Sequence, residues 1–219
     1  MNWMTKQLRG LELRARRGWY IQNLMYYVVG GMAVVFLMDF IGMGASRWLF
    51  FDRAAIARGQ VWRLLTFVFL PPQTSLLWII FSLYFYWLIG NTLESQWGSF
   101  KFNLYYLLGI VGAILGGLIT GYVDNTYINL SLFLAFAAMF PDFQMYLFFF
   151  LPIKMKWLAL LDVLLYAYNF IIGSWSVRAA IVLSLLNVAL FFGGDAVRTI
   201  RFEFGTLKRR WAFRRNYRR

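Results

Sequence analysis

Apolar residues in this chain come in runs of the length a bilayer demands, and that limits its fold more than any other feature. Leu24 to Met43 is close to the roughly 20 residues a helix needs to cross the hydrocarbon. Leu76 to Ile89, Phe102 to Tyr122, Tyr127 to Phe140, Trp157 to Ile172 and Val177 to Phe192 follow as further apolar segments. In lipid each backbone N–H and C=O must be satisfied inside the protein, so such segments are helices. The spacing predicts an all-α, polytopic membrane protein with six spans.

Between the first two runs, Gly44 to Ser75 carries Arg47, Asp52, Arg53, Arg58 and Arg63 with Trp48 and Trp62, and it closes on Pro71-Pro72. Tryptophan and arginine prefer the headgroup level, and a double proline forbids helix, so this reads as an interfacial loop. Gly90 to Gly98 reads as a polar turn between the second and third spans. The third span repeats Gly109, Ala113, Gly117 and Gly121, with Gly112 and Gly116 beside them. Four-residue spacing puts these on one helix face, against which another helix should pack closely. Tyr127 to Phe140 is short for a lipid-facing span and is expected as a central helix shielded by its neighbours. Phe143 to Leu151 is aromatic and is expected to lie partly in the interface.

Net charge is +13, with 22 Lys and Arg against 9 Asp and Glu. The excess flanks the spans: Arg9, Arg14, Arg16 and Arg17 precede the first, and the tail from Arg198 to Arg219 follows the last. With both termini in the cytoplasm, the opposite side keeps only Arg47, Arg53, Arg58, Arg63 and Arg178 of the basic residues. Basic ends of this kind are drawn to anionic membrane lipids rather than to nucleic acid, which is not expected as a partner. The organisation is a basic cytoplasmic segment 1–23, a membrane domain 24–195 and a basic cytoplasmic tail 196–219. The first span is expected to remain as an anchor rather than to be cleaved as a signal peptide. In a prokaryote the protein belongs in the plasma membrane.

Histidine and cysteine are both absent. Thiolate and imidazole metal sites and disulfides are thereby excluded, no other cluster has metal-ligand spacing, and no cofactor is expected. Polar residues within the spans stand out. Asp39 is either functional or reaches the interface. Asp162 has either a structural partner in the bundle or a polar pocket. Asn125, Asn129, Ser131 and Asn187 either bond neighbouring helices or line a cavity that, with Asp162, receives another protein's helix.

Several of these features together resemble the rhomboid superfamily, which includes intramembrane serine proteases and the inactive derlins. Trp62-Arg63 is similar to the family's first-loop motif, and Gly90-x-x-Leu93-Glu94-x-x-x-Gly98 to the segment joining its second and third helices. Ala135 to Asp142, running on through Pro141 and Pro152 to Trp157, looks like the region after the catalytic serine. Gly193-Gly194 resembles the glycine pair after the catalytic histidine. The resemblance spans about residues 20 to 198 and implies a six-helix bundle with an interfacial first loop and a short fourth helix. It also places the family's nucleophile near Thr126, its histidine at Phe191 and its oxyanion-stabilising face at Thr74, Trp78 and Ser82, so every catalytic position is substituted.

A hydroxyl attacks a peptide bond usefully only when a base takes its proton and donors await the oxyanion. The expectation is therefore an inactive, derlin-like protein with no catalytic residue. By resemblance it binds transmembrane segments of client proteins in membrane-protein quality control or retrotranslocation, and hands them to a soluble degradation partner. The alternatives are a protease with an atypical dyad and a small transporter or channel.

Overall fold

A computed structural model describes residues 20–72, 75–121, 123–147, 151–175, 177–179, 181, 182 and 185–189. Helix α1 is Leu24–Phe40. Phe40 is followed by Gly42 and Gly44, both at positive φ, where the chain leaves the helix sooner than the apolar run to Met43 implies. The segment expected at the interface, for that reason called the interfacial segment, is built of short pieces: α2 (Ser46–Leu49), α3 (Arg53–Ala57), α4 (Arg63–Thr66) and a 3-10 turn over Phe67–Phe69. Asp52 starts α3, its carboxylate accepting from the N–H groups of Ala54 and Ala55.

Helix α5 runs from Leu76 to Trp97, α6 from Ser99 to Thr120 and α7 from Thr126 to Met139. The expected turn over 90–98 is helical down to Trp97. Its polar side chains support the helix instead of breaking it: the Thr92 hydroxyl donates to the Leu88 carbonyl at 2.7 Å and the Ser95 hydroxyl to that of Thr92 at 2.7 Å. A residue with a Cβ at position 90 would strike the Met25 side chain, so Gly90 is where α1 approaches α5. The reversal is left to Gly98 alone, at φ 80° and ψ 152°.

The all-α expectation also needs correction after Met139. An antiparallel hairpin joins β1 (Gln144–Leu147) to β2 (Leu151–Lys154), with Gln144 opposite Lys154 and Leu147 opposite Leu151. Pro141 and Pro152 deny this stretch a helix, and its aromatic residues suit a strand. Helix α8 is Met155–Ile172, and the described residues from 175 to 189 are again helical.

Among the described residues three helices, α5, α6 and α8, are long and apolar enough to cross a membrane; Leu24–Phe40 and Ile128–Met139 are apolar but shorter. The sixth expected span is described only in part, and Gly193, Gly194 and both basic termini lie outside the described residues. The core gathers on α7, where Ile128, Leu132, Ala135 and Phe136 are buried against Tyr105 and Phe102 of α6, Leu93 of α5, and Phe67. α7 is thus the shielded central helix that its length suggested. The glycine face of α6 is used in two ways. Gly109 faces Ile128 and Asn187, while Gly117 faces Phe51 of the interfacial segment and Val123.

Candidate functional site

Three polar constructions hold this bundle. The first lies in the interfacial segment. Arg63 is buried, donating from Nε to Gln60 Oε1 at 2.6 Å, from Nη1 to the Phe50 carbonyl at 2.8 Å and from Nη2 to the Arg47 carbonyl at 3.1 Å. Its guanidinium also lies over the Phe50 ring, 4.8 Å from the centroid. Trp62 Nε1 donates to the Trp48 carbonyl, and the Thr66 hydroxyl to that of Leu49. One short helix thereby captures the carbonyls that end another, which a planar guanidinium does better than any other side chain.

The second fastens α1. Glu94, buried in α5, accepts from the backbone N–H groups of Asn23 at 2.7 Å and Leu24 at 3.1 Å. These are orphan donors at the start of α1, whose own Asn23 side chain makes no cap. Asn103 of α6 pairs with the backbone of Ile21 in both directions. Pro141 is exposed, and its carbonyl accepts from the N–H of Lys156 at 3.1 Å at the hairpin base.

The third is a cavity of about 310 Å³ between α5, α7, α8 and β1. Its polar lining is Ser82, Tyr86, Thr126, Asn129, Asp162 and Tyr166. Phe81, Phe85, Phe133 and Met145 supply much of the apolar wall. α5 and α8 each pack on α7. Only Met155 of α8 is buried; Val163, Leu164 and Leu165 are exposed, and Leu161, also exposed, lines the cavity.

The expected site residues separate across this arrangement. Thr126, Ser82, Asn129 and Asp162 meet in the cavity. Trp78 is half-exposed and stacks edge-on with Phe81, while Thr74 and Phe191 lie outside the described residues. Asn125, Ser131 and Asn187, grouped with the cavity in the sequence, are buried elsewhere. Asn125 donates to the carbonyls of Val68 and Leu70, tying α7 to the interfacial segment. Ser131 back-bonds to Ile128, and its own carbonyl accepts from the Tyr105 hydroxyl. Asn187 reaches the Tyr105 carbonyl at 3.4 Å, beside Gly109. Asp39 caps the start of α2 through the Ser46 N–H at 3.0 Å and hydroxyl.

A model of the rhomboid domain family matches residues 58–193, more than half of the chain. The chain belongs to the rhomboid family. No curated protein sequence matches it. The matched region is narrower than the resemblance over 20–198 and starts after α1; it contains Trp62-Arg63, Glu94, Thr126 and the whole cavity. Rhomboid membership and the three long apolar helices make this an integral membrane protein. Tyr86 and Tyr166 were not singled out in the sequence as cavity residues. The available signal was their four-residue spacing from Ser82 and Asp162, which puts each on its partner's helix face.

Proposed function

We propose that this rhomboid protein is catalytically inactive and derlin-like, and that it binds client transmembrane segments laterally at the gap between α5 and α8. Six spans with both termini in the cytoplasm, and basic ends against anionic lipid, complete the proposal, as does handover to a soluble degradation partner in membrane-protein quality control or retrotranslocation. The observation that carries it is the cavity itself. Its lining includes Thr126, the position that the resemblance assigns to the family's nucleophile, and the chain contains no histidine to serve that hydroxyl. Short apolar helices, Leu24–Phe40 and Ile128–Met139, favour local thinning of the bilayer around such a gap.

A second reading, a hydrolase of atypical dyad, draws on the presence of Thr126, Ser82 and Asp162 in one cavity. No hydrogen bond joins Thr126 to Asp162, so a carboxylate base is not engaged with the hydroxyl. One preparation tests both readings. The purified full chain in nanodiscs, carrying a photo-crosslinker at Leu161, is incubated with a transmembrane substrate and a fluorophosphonate probe. Crosslinking without cleavage or labelling is the expected result. Turnover abolished by Thr126→Val or Ser82→Ala would establish the hydrolase instead.

A further inference from the structure

Among the described residues lining the cavity, Asp162 is the only one that carries a charge. It stands seven residues into α8, about 10 Å along the axis from Met155, at a depth near the middle of the hydrocarbon if α8 spans it. A lone carboxylate there is unfavourable and ordinarily has a partner or a function. Among the described residues the ion pairs belong to Asp142, not to Asp162.

Asn129 faces the same space with a second unmet need. It is 4% exposed, and neither its Oδ1 nor its Nδ2 makes a hydrogen bond; the Tyr86 hydroxyl is near enough to be influenced by the amide, yet the geometry of a bond is not reached. Buried amides are ordinarily satisfied, so an orphan pair of this kind marks a place for a ligand's polar group. Around these groups the wall is aromatic: Phe81 stacks on Phe85 at 6.2 Å, and Phe85 lies 5.9 Å from Phe133. Ring faces attract cations and are indifferent or hostile to anions.

Taking the client-binding reading as its basis, we propose that the cavity selects transmembrane segments carrying a lysine or arginine near their midpoint, Asp162 receiving the cation and Asn129 Oδ1 accepting one of its N–H donors. Depth chooses between the bilayer's sources of cations. A headgroup amine sits at the interface, roughly 15 Å from the midplane of a hydrocarbon layer about 30 Å thick, whereas a side chain on a spanning helix arrives at the level of Asp162. The cavity has room for about ten water molecules at about 30 Å³ each, enough for one long basic side chain. A client whose own basic residue is unfavourable in lipid would thereby gain a counter-charge only in this gap.

The test uses the full chain with the photo-crosslinker at Leu161, in nanodiscs of phosphatidylcholine and phosphatidylglycerol, and polyleucine transmembrane peptides with a single central Lys, Arg, Gln, Glu or Leu. Lys and Arg peptides should be captured at least tenfold more than the Leu or Glu peptides. Asp162→Asn should bring the Lys to Leu capture ratio to about one and Asp162→Glu should restore it, which separates a lost charge from a misfolded bundle. Equal capture of all peptides, or a Lys preference that survives Asp162→Asn, overturns the selectivity while client binding stands. Capture of no peptide removes client binding itself. Loss of the Lys preference when phosphatidylethanolamine replaces phosphatidylcholine would assign the cavity to a lipid amine and overturn the proposal.

Discussion

Replacing Glu94 by Gln tests the claim that one carboxylate anchors α1 to the rest of the bundle. Both Glu94 oxygens are occupied, one by Asn23 N–H and the other by Leu24 N–H, and the side chain is 5% exposed, so water does not compete for them. Hydrogen bonds to a charged acceptor contribute about 1.5–3 kcal/mol each. A carboxylate at a helix N-terminus adds about 0.3–1 kcal/mol through the macrodipole, and more when partly buried. Gln keeps one acceptor but turns an NH₂ toward the second N–H, which loses one bond and the charge while leaving a buried donor facing a donor. The expected cost is about 2–4 kcal/mol, with Glu94→Asp intermediate because the shorter arm reaches one N–H at a time. Equilibrium unfolding in mixed micelles of increasing denaturing-detergent fraction measures it. The same samples, followed by amide exchange, should show α1 losing protection first. A Glu94→Gln protein within about 0.5 kcal/mol of the wild type, with α1 still protected, would refute the reasoning.

Arg63→Lys keeps the charge but can satisfy fewer of the three acceptors that hold the interfacial segment, so amides over 47–66 should exchange at least tenfold faster with the global transition little moved. Two alanine substitutions on α6 should move stability in opposite directions. At Gly117 the new Cβ meets Phe51 at 2.7 Å and Val123 at 3.0 Å, costing about 1–3 kcal/mol, while Gly112 has open space and Gly112→Ala gains about 0.5–1 kcal/mol; detergent unfolding reads both. The exposed Asp142 carboxyl is held below the usual carboxylate range by the hydrogen bond from Lys156, then by that cation's charge, with Lys154 adding to both. A folded value below the unfolded one means the pair's contribution is present at neutral pH and is lost as pH falls below about 4. Hairpin protection factors should drop a few-fold across that range in the wild type and stay flat in Asp142→Asn, a small effect as befits a surface pair.

Much of the fold is written in local sequence. Run length bounds the helix at Met155–Ile172, close to the expected Trp157 to Ile172, and Pro71-Pro72 comes before α5 starts at Leu76, where the expected loop ends. The four-residue glycine spacing on α6 marks close approaches at Gly109 and Gly117, while Gly121 ends the helix at positive φ and Gly112 meets open space. The hairpin after Met139 was not legible, since a short aromatic stretch between prolines has no periodicity to distinguish strand from interfacial coil. Nor was the continuation of α5 through Gly90-Asn91-Thr92, whose local propensities favour a turn until Met25 covers the glycine and the hydroxyls bond back to the helix.

What the sequence by itself determined is chemical inventory and reach: which residues can be buried in lipid, and that no imidazole or thiol exists anywhere to activate a hydroxyl. What only the tertiary structure decided is how the polar residues are shared out. Asn125, just before α7, and Asn129, one turn into it, are indistinguishable as letters. One is consumed by the carbonyls of Val68 and Leu70, more than fifty positions away, while the other lines the same cavity as Asp162 of α8. A hydrogen bond needs its partner within about 3 Å, and which partner arrives at that distance is fixed by how helices distant in sequence pack, not by the residues on either side.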